Sequence, residues 1–295
     1  MSNYHKIEFY RYRDFGGIIT TTFDFIAQNF KILIQLLLRI SLPLLLFGYV
    51  VVIYSYYQVV HNTNAASGRV FLMILGILLF LAGMSLYYFS IYFLMRRYDE
   101  VDDPSKIKAS EVWSDTVSHI KSYLVATLLI TLIVGFSYMF FVIPGLILFV
   151  FLSLVYPAMI FEEINASQSI SRSFSLVAGN WWRTFFLLLI LNLIQMMFNY
   201  LADMPAYIAH FLGLIRFNSS ITYLANTTVE LWEWLLWAVY FFIQYLILVI
   251  LGIISTIGTS FLYFSIRERK ENTGLIREIQ AFGTHKNEDD YEYEF

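Results

Sequence analysis

The sequence predicts an all-α polytopic membrane protein with six transmembrane helices in three hairpins, each preceded by a cytoplasmic-side amphipathic interfacial helix. Three observations carry this prediction. Of the 295 residues, 59% are hydrophobic and only 14% are charged, whereas a soluble domain carries roughly 25% charged residues. The apolar residues gather into runs that meet the need of a spanning helix for about 20 of them. The basic residues cluster on alternate connections, as the positive-inside bias requires.

Taken in order, the spans are expected at about 32–57, 70–95, 122–142, 146–162, 184–202 and 237–266. About 30 residues holding Lys6, Arg11 and Arg13 precede the first apolar run, which is too long to be the h-region of a cleavable signal, so the first span is expected to remain as an anchor. The third and fourth spans are separated only by Val142 to Leu146, "VIPGL". As one helix, 122–162 would extend about 61 Å, twice the hydrocarbon thickness, so a hairpin turning at Pro144-Gly145 is the better reading. The last run, Leu231 to Ile266, is long enough to hide two short spans, but splitting it would move Arg267 to Lys270, "RERK", to the outside. Six spans put 16 of the 19 basic residues inside, leaving Arg69 and Arg216 outside and Arg39 within the first span. Both termini are then cytoplasmic. Trp232, Trp234 and Trp237, with Glu230 and Glu233, are expected to form an outer interfacial segment.

Before the fifth span, Ile170, Phe174, Val177 and Trp181 make one apolar helical face, with Ser167, Ser171, Arg172 and Ser175 opposite. Asn165 and Gln168 have the spacing of a capping box, and Gly179-Asn180 marks a turn into the span. The same grammar precedes the first span: Thr22 to Phe30 aligns without gaps on Ser173 to Trp181, with Ile19, Phe23, Ile26 and Phe30 as the apolar face. Trp113, Val117, Ile120 and Leu124 keep the spacing before the third. The chain therefore reads as three units of surface helix plus hairpin, although any amphipathic helix tends towards such spacing. A weaker echo at Leu275, Ile279 and Phe282 follows the last span. Residues 1–283 are expected to form one membrane domain, and the acidic residues 284–295 a mobile tail.

Ile143 to Phe185, "IPGLILFVFLSLVYPAMIFEEINASQSISRSFSLVAGNWWRTF", resembles the signature of the bacterial glycerophosphoryl diester phosphodiesterase membrane-domain family and its YciC-like relatives. In that pattern an IPG turn leads to a span ending in proline, then an acidic residue, a serine-bearing helix and residues like "GNWW". The opening "RDFGGIITTTFDFIAQNFK" and the closing "FLYFSIRERKENTGLIREIQAFG" look like a branch lacking the catalytic domain. The resemblance implies a bacterial inner-membrane protein of uncharacterised role and supplies no catalytic residues.

The residues themselves argue against enzymatic chemistry. There is no cysteine, which removes disulfides, thiolate metal sites and cysteine nucleophiles. No HExxH, GxSxG, P-loop or dinucleotide fingerprint is present. His5, His61, His119, His210 and His285 are too dispersed to suggest a ligand set, so neither cofactor nor metal is expected. The net charge of −3 and scattered basic residues give no sign of a nucleic-acid partner.

Several polar positions near or inside the spans still call for explanation. Glu162-Glu163 is an adjacent carboxylate pair, read as capping and pairing with Arg172 or Arg183 at the inner interface. Arg39 is an intramembrane charge, which snorkels, pairs with a carboxylate such as Glu162, or contacts a substrate or a lipid phosphate. Asn192, Gln195 and Asn199 make a polar seam in the fifth span, either interhelical glue or the lining of a hydrated path. Asp99 to Asp103, "DEVDD", reads as a solvated loop. Gly76, Gly83, Gly252, Ser255, Gly258 and Thr259 suit close helix packing. These features favour a non-enzymatic scaffold that organises lipid or partner membrane proteins of the same operon, with a transporter or channel for a small solute or lipid as the alternative. The oligomeric state is left open by the sequence.

Overall fold

The computed structural model describes residues 6–61, 66–211 and 231–272, together with Ile276 and Ile279. The expected acidic tail, Leu275, Phe282 and Arg216 lie outside the described residues, as do the side chains of Trp232, Trp234 and Trp237. Among the described residues there is no strand, and the chain forms ten α-helices. These are α1 (Phe15–Leu36), α2 (Leu42–His61), α3 (Ala66–Glu100), α4 (Ala109–Ser118), α5 (Ile120–Phe140), α6 (Val142–Leu152), α7 (Val155–Phe161), α8 (Ala166–Val177), α9 (Trp181–Phe211) and α10 (Leu231–Glu271). Six stretches are long and apolar enough to cross a bilayer: Phe15–Val59, Gly68–Glu100, Ile120–Phe140, Val142–Phe161, Trp181–Pro205 and Ala238–Glu271. The protein is an all-α polytopic membrane protein.

The joints between interfacial helix and span differ among the three units. At the third, α8 ends at Val177, and Gly179 takes a left-handed φ of +80° before α9 starts at Trp181. Glycine adopts that conformation without steric cost. At the second, α4 and α5 meet at a kink on His119, whose φ is −102° and ψ 3°. The first unit corrects the sequence expectation: α1 does not turn but passes through a π-helical turn, Leu37–Ser41, straight into α2. Gln28-Asn29 stand where the third unit has Gly179-Asn180, so nothing breaks the helix there. The π turn has its own cause. Pro43 lacks the N–H that would bond to the Arg39 carbonyl and crowds that carbonyl, and widening the preceding turn relieves the clash.

The face buried within the protein differs from the apolar face that the sequence marks for the membrane. On the apolar face of the first unit Phe23 is 38% and Phe30 57% exposed and Ile19 and Ile26 are half-buried, while Ile18, Thr22, Phe25 and Asn29 beside it are buried. Trp113, Val117 and Leu124 of the second unit are likewise exposed, and Ala109, Val112 and Thr116 are buried. In α8, Ser169 and Ser173 are buried while Ile170 and Phe174 are only half-buried. Lipid tails are as apolar as leucine, so large apolar side chains gain little by leaving them. Small and polar residues are what allow helices to approach and bond.

The third and fourth spans form the expected hairpin, but the turn is placed differently. Phe141 alone breaks the helix, with extended φ −153° and ψ 134°, and Pro144 sits in the first turn of α6. Its missing N–H is one that a first turn leaves unbonded anyway. The fourth span is itself interrupted between α6 and α7, because Pro157 cannot donate to the Ser153 carbonyl. The hydroxyl of Ser173 on α8 repairs this gap, donating to the Phe151 carbonyl at 2.6 Å and accepting the Leu154 N–H at 3.2 Å. The last run is not split: α10 is one helix of 41 residues.

The core lies towards the end of the bundle where Arg96, Arg267 and the start of α1 meet, here termed the basic end. Buried positions run from Tyr87 to Tyr98 in α3 and from Val249 to Ile266 in α10. Phe9, ahead of α1 and 2% exposed, stacks on Tyr98 at 5.6 Å and meets Phe261 edge-on at 5.3 Å. Towards the far end, α2 and α3 stay in contact through glycines. A Cβ on Gly48 would lie 2.6 Å from the Phe80 backbone nitrogen, and one on Gly76 would lie 2.9 Å from the Gly48 carbonyl oxygen.

Candidate functional site

Two polar assemblies stand out, one at each end. At the basic end, Glu162 caps the C-terminus of α7, and Glu163 follows with a left-handed φ of 54°. This backbone turn sends the two carboxylates apart. Glu162 accepts Arg172 Nε on both oxygens at 2.9 Å and the Tyr263 hydroxyl at 2.7 Å, with Arg267 Nε at 3.8 Å. Glu271 closes the ring, bonding Arg172 Nη2 at 2.5 Å and Arg267 Nε at 3.2 Å. Burial alone would lower the Arg172 pKa, but its hydrogen bonds to Glu162 and Glu271 outweigh that and raise it. Glu163 faces the other way and pairs with Arg96, which also bonds Glu100 at 2.9 Å. Beside them Arg97 grips both oxygens of Asp115 at 2.6 and 3.1 Å, fastening α4 to α3.

Arg172 thus pairs with Glu162, but Arg183 pairs with neither glutamate. It turns inward, donating through Nη2 to the Arg13 carbonyl and, at 3.0 Å, to the Ser265 hydroxyl; its guanidinium lies 4.7 Å from the Tyr12 ring. Its Nη1 is buried without a hydrogen-bond partner among the described residues. Arg13 is held below its ordinary pKa by burial first and by the charge of Arg11 second. Arg39 does not reach Glu162. It is exposed on the π turn and has no ion-pair or hydrogen-bond partner among the described residues. Lys270 donates to the Ser175 and Ala178 carbonyls at 2.7 and 2.8 Å, placing a cation at the C-terminus of α8.

The second assembly is a cleft of about 290 Å³ between α9 and α10. Asn192, Gln195 and Asn199 line it together, and the helical spacing continues one step further to Asp203, which lines it too. Asn192 donates to the Leu188 carbonyl at 2.9 Å. Across the cleft the Tyr240 hydroxyl donates to Asp203 Oδ1 at 3.4 Å, and Gln244 Nε2 donates to Tyr240 at 3.0 Å and to the Ala202 carbonyl at 3.1 Å. Towards the basic end, fully buried Leu187, Leu191, Val249 and Ile257 fill the space between the two helices. The seam is thus open at one end and closed at the other.

Sequence reasoning missed several of these groups. Asp203 lies just past the expected end of the fifth span, and extending the seam by its own spacing finds it. Arg267 and Glu271 had a visible signal in the shared pattern Tyr92-Phe93, Arg96, Glu100 and Tyr263-Phe264, Arg267, Glu271. Phe9 had none. Among the described residues no group of carboxylates and histidines is arranged to hold a metal. His119 bonds the Asp115 carbonyl at 2.9 Å beside the α4–α5 kink. His5 and His285 lie outside the described residues, as do the side chains of His61 and His210.

Comparison with known protein families, curated proteins and solved structures finds no match to this chain.

Proposed function

We propose that the protein is a non-enzymatic membrane bundle that organises lipid or partner membrane proteins, with the basic end cytoplasmic. The observation that carries this reading is the asymmetry along the bundle axis. The basic half is solidly packed and clasped by Glu162, Glu271, Arg172 and Arg267, whereas polar groups in the other half open sideways into a cleft that ends on Leu191 and Val249. A clasped base with an open upper half suits holding something in place. The reading includes three related units: Asp14 and Asn165 cap α1 and α8 alike, and Thr22, Phe25 and Asn29 are buried just as Ser173, Leu176 and Asn180 are. The segment Ile143 to Phe185 supports placing the chain with the catalytic-domain-free branch of the membrane-domain family named above, and so in a bacterial inner membrane. Purification of the tagged protein in mild detergent tests the function. A stoichiometric partner or tightly held phospholipid is expected, and recovery without either would overturn the reading.

One observation favours a carrier instead: the cleft is half of an access path. Transport would require α9 and α10 to part at Leu191, whose side chain packs against Gly258. Joining the two positions as Leu191→Cys with Gly258→Cys is clean because the chain has no cysteine of its own. Scrambling of fluorescent phospholipid in proteoliposomes that this cross-link abolishes would establish a carrier.

A further inference from the structure

The cleft can be assigned a ligand, an inference that rests on the organising role just proposed. We propose that the space between α9 and α10 binds the headgroup of a phospholipid bearing a primary ammonium, drawn from the leaflet at the far end of the bundle. The argument is one of order along a helix. Asn192, Gln195, Asn199 and Asp203 all line the cleft. At 1.5 Å per residue, Asn199 lies about 6 Å, Gln195 about 12 Å and Asn192 about 16 Å below Asp203. In a lipid standing in that leaflet the ammonium is outermost, the phosphate next, and the ester carbonyls beneath. The cleft offers a carboxylate, then an amide, then a second amide, in the same sequence.

Each step has its chemistry. Asp203 is the one charged side chain lining the cleft among the described residues. Its bond from Tyr240 is long at 3.4 Å, and Oδ2 has no partner among the described residues, which leaves it able to accept from an ammonium. The Asn199 amide donates where a phosphate oxygen would stand, one helical turn from the repelling carboxylate. Gln195 donates at the depth of an ester carbonyl. Asn192 already donates to Leu188 and marks the floor. A volume of about 290 Å³ holds a headgroup but not acyl chains. The chains have a surface to lie on, because Leu193, Met197 and Leu201 on the flank of α9 are 54%, 53% and 55% exposed.

The same chemistry discriminates among headgroups. An anionic headgroup without an amine would set its charge near Asp203. A quaternary ammonium has no N–H to donate, and recognition of one relies instead on an aromatic cage. A primary ammonium has three donors for Asp203 and its neighbours.

Calorimetric titration of the full-length protein in detergent tests this, with dihexanoyl phosphatidylethanolamine, phosphatidylcholine and phosphatidylglycerol, and with free ethanolamine, as probes. Phosphatidylethanolamine is expected to bind tightest, and Asp203→Asn to weaken it about tenfold or more, the scale of one charge-assisted hydrogen bond. Asn199→Leu is expected to weaken phosphatidylethanolamine and phosphatidylcholine alike. Unchanged binding in a folded Asp203→Asn protein would overturn the assignment. So would equal affinity for all three lipids, which marks annular contact only, or free ethanolamine binding as tightly as the lipid, which marks a soluble amine. If Asp203→Asn does not fold, Tyr240→Phe frees Oδ1 while keeping the carboxylate. It is expected to bind phosphatidylethanolamine at least as well, and a loss there overturns the assignment too. A copurifying membrane protein released by Asp203→Asn would replace lipid with a partner helix and leave the organising role standing. Recovery of the protein with neither partner nor lipid would remove both.

Discussion

The adjacent residues Glu162 and Glu163 show how a single backbone angle divides chemistry. The positive φ at Glu163 turns its carboxylate towards α3, where its side chain is 65% exposed, while that of Glu162 is 15% exposed between α8 and α10. Removing this mostly buried carboxylate leaves Arg172 and Arg267 with Glu271 alone to offset two charges and takes the acceptor from the Tyr263 hydroxyl. Glu162→Ala is therefore expected to destabilise by about 3 kcal/mol, and Glu163→Ala by roughly 0–1 kcal/mol, as for an exposed pair. Thermal unfolding in detergent checks this, and equal losses in the two variants would sink it. Arg39 makes the opposite prediction. With an exposed side chain and no partner among the described residues, it holds no packing contact in place, so Arg39→Leu should leave thermal stability unchanged or higher. A clear loss would mean that the guanidinium holds an anion that survives purification, with lipid phosphate the first to look for.

Among the elements, α8 is the keystone, because it fills a break in its neighbour. Ser173 satisfies two backbone groups at the break between α6 and α7, the Phe151 carbonyl and the Leu154 N–H. Its removal strands both in an apolar setting, so Ser173→Ala should cost about 1–3 kcal/mol, while Ser171→Ala on the exposed face should be nearly neutral. The two melting curves, compared with wild type, decide it. This element also shows what the sequence could and could not reveal. The capping box at Asn165 and the turn at Gly179 were legible because each depends on local chemistry alone. The buried face was not, because helical periodicity finds where apolar residues gather, and in a bilayer that is as readily the lipid side as the protein side. The π turn at Leu37–Ser41 and the break before Val155 both trace to prolines inside apolar runs, a signal that span counting passes over. The cleft was half legible: its amide seam could be read from spacing, but Tyr240 and Gln244 come from a helix whose pairing with α9 no local pattern encodes.

For the whole molecule, the decisive quantity is the side of the membrane on which each connection lies. Six crossings and the clustering of ion pairs at one end make the two ends chemically unlike: Arg13, Arg96, Arg172 and Arg267 gather at one, while the α5–α6 turn at the other exposes Phe141 and Val142 by 69% and 70%. Arginines and glutamates held together at one end lose less by staying in contact with water and phosphates than by crossing the hydrocarbon, and the positive-inside bias is what supports the cytoplasmic placement proposed for that end. A chain without cysteine lets this be tested directly. Single cysteines at Arg11, Lys106 and Ser167 should react with a membrane-impermeant maleimide only after cells are opened. Cysteines at Gly68, where an added Cβ meets nothing within 4 Å, and at Phe211, 89% exposed, should react in intact cells. Reaction of Lys106→Cys and Gly68→Cys from the same side would remove the second crossing and with it the three-hairpin order. Reversal of all five would keep the fold but move the cleft to the cytoplasmic leaflet, where its proposed lipid would have to be sought instead.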